Sequence, residues 1–107
     1  MLTSWAVAER GIAASYPSAP ALARLRANHV ARAVAVETLL SARSAAPSPP
    51  PVAARRDVKA LVAAETALAQ RYLNDLAAVT DPAVAVLGAE LAAGARQHAT
   101  LLPLVPA

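Results

Sequence analysis

A chain of 107 residues with a formal charge of +3 at pH 7 and 57% hydrophobic residues is long enough for one core with modest stability to spare. It has no cysteine, which excludes a disulfide framework, a thiolate nucleophile and a Cys-ligated zinc. With no Phe, one Trp and two Tyr, and an apolar share that is largely alanine, it lacks the aromatic and β-branched alternation of strands and reads as all-α.

The first helix is expected over about residues 4–16, capped by Thr3 or Ser4, with Trp5, Ala8, Ile12 and Tyr16 along one face. Pro17 ends it, and Ser18-Ala19-Pro20 restarts the chain. The second helix is placed at about 19–45, roughly 40 Å at the usual rise per residue. Its inward stripe reads Leu22, Leu25, His29, Ala33 or Arg32, Val36, Leu39 and Leu40. Residues 44–51, SAAPSPPP, form a stiff polyproline-like connection. A third helix is expected over about 52–79, with Val58, Leu61, Val62, Leu68, Tyr72, Leu76 and Val79 at helical spacing. Thr80-Asp81-Pro82 then supplies a cap followed by Pro in the first turn. The fourth helix, about 82–102, carries Val84, Leu87, Leu91, Ala95, His98, Leu101 and Leu102 inward and stops at Pro103. Gly88 and Gly94, with Ala85, Ala89, Ala92 and Ala93, make a small-residue surface suited to close helix packing. Three long amphipathic helices and a short one make an antiparallel four-helix bundle in a single domain the expected architecture.

Three polar residues interrupt the inward stripes, each on a different helix: His29, Glu65 and His98. A carboxylate in a core costs several kcal/mol unless it is paired or bound to a metal. If the three residues lie at one level, two imidazoles and one carboxylate suit Zn, Fe or Mn. A carboxylate-bridged pair of metals would need Glu three residues before each His, where this chain has Arg26 and Ala95. The expectation is therefore a metal-free polar cluster of His29, Glu65 and His98, with no cofactor. Glu9, Arg32, Glu37 and Glu90 border the stripes.

Leu25-Arg26-Ala27-Asn28-His29, Leu61-Val62-Ala63-Ala64-Glu65 and the closing run from Leu87 to Leu102 (LGAELAAGARQHATLL) resemble the ferritin-like domain of unknown function (number 4439) found in Ala-rich actinobacterial proteins. The resemblance covers about residues 22–102 and implies a ferritin-like four-helix fold. Some members of that family are envelope lipoproteins, and no activity is established for it. In the family pattern an acidic residue commonly accompanies each His. Asn28, Arg32 and Ala95 stand in the corresponding regions here, which weakens an iron-oxidising role.

Other chemistry finds little support. The three Gly residues are isolated, so no phosphate loop is present. Arg55, Arg56 and Lys59 form the densest basic cluster, a candidate nucleic-acid patch, but no aromatic residues interleave to stack on bases. Despite a mean hydropathy of +0.42, no window of about 18 residues is free of charges and breakers, so no transmembrane segment is expected. The opening MLTSWAVAER lacks a basic region followed by an apolar run, so no signal peptide is read. The compartment is cytoplasmic as the sequence stands, or the envelope if the chain is a fragment. The functional expectation is a non-enzymatic bundle that binds a protein partner or a second copy of itself. A two-His, one-carboxylate metal or redox bundle and a basic nucleic-acid-binding domain are the alternatives.

Overall fold

The described residues form four α-helices: α1 (Leu2–Ser15), α2 (Ala23–Ala42), α3 (Val58–Leu76) and α4 (Pro82–Leu101). Short 3-10 turns at Pro20–Leu22 and Leu102–Leu104 precede α2 and follow α4. The computed structural model describes residues 1–43 and 55–106, and no strand occurs among them. The Pro-rich connection at 44–51 and the expected start of the third helix at 52 lie outside the described residues.

The chain divides into two compact units, Met1–Arg56 and Asp57–Ala107. In the first, α1 packs on α2; in the second, α3 packs on α4, with the final 3-10 turn against both.

In the first unit, helix ends are set without side-chain N-caps. Met1 and Leu22 occupy the N-cap positions of α1 and α2, so neither Thr3 nor Ser4 caps α1, and Ala19 rather than Ser18 precedes the 3-10 turn. Tyr16 is extended (φ −74°, ψ 129°), the conformation forced on a residue that precedes proline, and α1 therefore stops at Ser15. Its last carbonyls need partners. Ser15 Oγ donates to Ile12 O (2.7 Å), Arg26 Nε to Ala13 O (3.3 Å), the Arg56 amide to Ser15 O (2.8 Å) and Arg55 Nη1 to Tyr16 O (3.2 Å). Arg26 and Arg55 thus bring positive charge to the negative end of the α1 dipole. The third helix begins later than the periodicity predicts because residues 55–57 serve these contacts and the next N-terminus instead.

The second unit caps both helices with aspartate. Asp57 accepts from the Ala60 amide (2.8 Å), and Asp81 accepts from the Ala83 amide (2.9 Å) and, more weakly, from that of Val84 (3.5 Å). Pro82 follows at the first position of α4, where its missing N–H costs nothing.

Burial follows the stripes in their centres and departs from them at the ends. Leu25, His29, Ala33, Val36 and Leu40 are buried on α2; Leu61, Glu65, Leu68, Ala69 and Tyr72 on α3. Val58 and Leu101, expected inward, are 37% and 39% exposed, whereas Leu102, the next residue along, is fully buried. On α4, Gly88, Ala92 and Gly94 are buried within the protein, so that part of the small-residue surface is already used. On α1 the buried set is Leu2, Trp5, Ala6, Glu9, Ile12, Ala13 and Ser15, with Glu9 in place of the expected Ala8. No helix among the described residues is long and apolar enough to cross a membrane.

Candidate functional site

Each unit holds one buried pair of a glutamate and a histidine. In the first, Glu9 on α1 faces His29 on α2: Nδ1 of the imidazole lies 2.5 Å from Oε2 of the carboxylate, and both side chains are wholly buried. The Tyr16 ring packs against the imidazole at 5.6 Å between centroids, tilted by 50°. In the second unit, Glu65 on α3 faces His98 on α4, with Nδ1 3.0 Å from Oε2 and essentially no exposure of either side chain. The arrangement is the same twice: the carboxylate comes from the first helix of the unit, and the imidazole from the second.

Helix geometry explains the placement. Glu65 lies four residues after Leu61 and three before Leu68, all on the buried stripe of α3. His98 follows Leu91 and Ala95 at seven and three residues along α4. Glu9 lies four residues after Trp5 and three before Ile12. His29 lies four after Leu25 and four before Ala33.

A hydrogen bond between imidazole and carboxylate is how such groups are held in a dry interior. The Glu9 carboxylate is incompletely satisfied: its Oε1 is buried without a hydrogen-bond partner among the described residues. Each pair stands at the span of a hydrogen bond and combines the nitrogen and oxygen donors of a borderline transition metal.

All three residues singled out by the sequence are buried: His29, Glu65 and His98. The second unit brings Glu65 and His98 together, and His29 in the first unit has Glu9 as its carboxylate. Glu9 is the site residue that periodicity ranks below Ala8. The available signal was an inward imidazole on α2, which requires an acceptor from a neighbouring helix. Of the other bordering residues, Glu37 forms an ion pair with Arg10 (2.7 Å), whose hydrogen bond holds the Glu37 carboxyl below its ordinary pKa. Arg32 is half-buried, with Nη1 unpartnered among the described residues, and Glu90 is exposed.

The basic cluster has a structural use. The Arg55 side chain and the Arg56 backbone amide bind the end of α1, and Arg55 Nη1 also donates to Ser18 Oγ (2.9 Å). Lys59 is exposed in the first turn of α3. On the second unit an open groove of about 750 Å³ runs between Ala63, Thr66 and Gln70 of α3 and Arg96 and Thr100 of α4. The Thr66 and Thr100 hydroxyls are spent on carbonyls of their own helices. No protein-family profile, no curated protein and no solved structure matches this chain.

Proposed function

We propose that the protein is a non-enzymatic helical module that holds one divalent transition metal (Zn, Fe or Mn), with Glu65 and His98 of the second unit as donors. The observation that carries this reading is the repeated pair: two fully buried imidazoles, each faced by a fully buried carboxylate. Stability alone gives little reason for it. Replacing a buried ionic pair by well-packed apolar residues is commonly neutral or stabilising, so two such pairs in 107 residues are an expense that packing does not explain. Neutral imidazole and carboxylate are the ligand types that Zn, Fe and Mn share. The antiparallel, ferritin-like arrangement expected from the sequence belongs to this proposal as its architecture, since it would direct donors from several helices inward.

The nucleic-acid reading loses one of its three side chains, because the Arg55 guanidinium is bound to Tyr16 O at the α1 terminus. Protein purified without chelator is expected to carry close to one equivalent of metal by elemental analysis, and Glu65→Gln is expected to lose it. A metal-free protein whose melting temperature is unmoved by added Zn, Mn or Fe(II) would refute the reading.

A further inference from the structure

We infer that the groove between α3 and α4 in the second unit binds a singly charged amphiphile: a fatty carboxylate whose head pairs with Arg96 and whose alkyl chain lies along the alanines. The inference goes beyond the metal-binding reading and does not depend on it, since neither Glu65 nor His98 lines the groove.

Three observations lead to it. The first is the lining. Ala63 and Ala67 are exposed on α3, Ala69 is buried beside them, and Ala99 is half-buried on α4. Four methyl side chains leave an apolar trough of about 750 Å³, within the size range of small-ligand sites.

The second is the state of the polar groups. Thr66 Oγ1 donates to Val62 O (2.8 Å), and Thr100 Oγ1 donates to Arg96 O (3.1 Å). Gln70 Nε2 donates to Asn74 Oδ1 (2.9 Å). The Arg96 guanidinium makes no hydrogen bond or ion pair among the described residues, and among them it is the only charged group lining the groove. An unpaired guanidinium beside an apolar trough complements an anionic head on an apolar body. Its planar fork of N–H donors matches a carboxylate with two parallel hydrogen bonds.

The third concerns charge and length. One arginine matches one negative charge. A carboxylate carries one, whereas a phosphate monoester carries about −1.5 to −2 at pH 7 and would leave charge unmatched. Along α3 the lining runs from Ala63 to Gln70, about 10 Å at the usual rise per residue. An incoming helix would rest on only two turns there, little against the cost of association. An alkyl chain is narrower and gains with each methylene it buries.

The test uses the full chain and sodium dodecanoate below its micelle concentration. Calorimetry should give one saturable site per chain, with amide NMR shifts concentrated at Ala63, Ala67 and Ala99. Arg96→Gln alters an exposed side chain and should leave the fold intact. It should weaken dodecanoate binding by about tenfold or more, the size of one hydrogen bond to a charged group. Dodecanol, with the same chain and no charge, should bind more weakly than dodecanoate and be insensitive to Arg96→Gln. No saturable binding, an affinity unchanged in Arg96→Gln, or amide shifts centred away from the groove would each overturn the inference. So would tighter binding of dodecyl phosphate or of an acidic helical peptide. None of these results bears on metal uptake, which elemental analysis reads separately.

Discussion

The two units bury the same pair of side chains but secure their helices by different means. In the second unit, α3 and α4 each start on an aspartate cap, Asp57 and Asp81. In the first, neither helix has a side-chain cap. Tertiary contacts do the corresponding work: Arg26, Arg55 and Arg56 at the end of α1, and the Arg10–Glu37 bridge between α1 and α2. Shared interiors over unlike scaffolding indicate that the glutamate–histidine pair is the common requirement, and that local capping is only one way of supporting it.

The comparison breaks most visibly if the pairs are not energetically alike. In metal-free protein, Glu9→Ala and Glu65→Ala are each expected to cost about 3–5 kcal/mol, because each removes the carboxylate that faces a buried imidazole. Urea unfolding monitored by circular dichroism measures both. A loss for one and not the other would show that the two pairs are not doing the same job. By contrast, replacing both members, Glu65→Leu with His98→Leu, should be neutral or stabilising by up to about 4 kcal/mol without metal, since it removes both polar groups of the pair together.

A smaller effect sharpens the contrast in capping. Asp57→Ala and Asp81→Ala should each destabilise by about 1 kcal/mol through lost amide acceptors, whereas Thr3→Ala at the start of α1, which has no side-chain cap, should cost less than half that. Equal losses at all three positions would remove the distinction.

The smallest effect belongs to the Arg10–Glu37 bridge, about a third exposed on each side. A double-mutant cycle should return about 0.2–1 kcal/mol, shrinking as salt is added. The Glu37 carboxyl is lowered by the Arg10 hydrogen bond. Its contribution is therefore full above the ordinary carboxylate range and fades as pH falls through the lowered folded value. A coupling that grows on acidification would contradict the assignment.

Much of this was legible in the sequence. Alanine-rich periodicity gave the all-α class, and the inward positions of His29, Glu65 and His98 followed from stripe spacing on helices long enough to fix a phase. Helix α1 was harder. Between Trp5 and Ile12, both Ala8 and Glu9 satisfy helical spacing, and hydrophobicity favours alanine; only the presence of His29 on the facing helix makes the glutamate the better inward residue. The start of α3 was misplaced for a related reason. Residues 52–56 have acceptable helix propensity, but Arg55 and Arg56 are held by carbonyls of α1, a contact that local pattern cannot reveal.

The proposed holder of the cation is the buried pair of Glu65 and His98. Calorimetric titration of the metal-free chain with Mn(II) or Zn(II) should give one site per chain, abolished by a Gln substitution at Glu65. Two independent sites of similar affinity, or no binding heat and no rise in melting temperature, would contradict it.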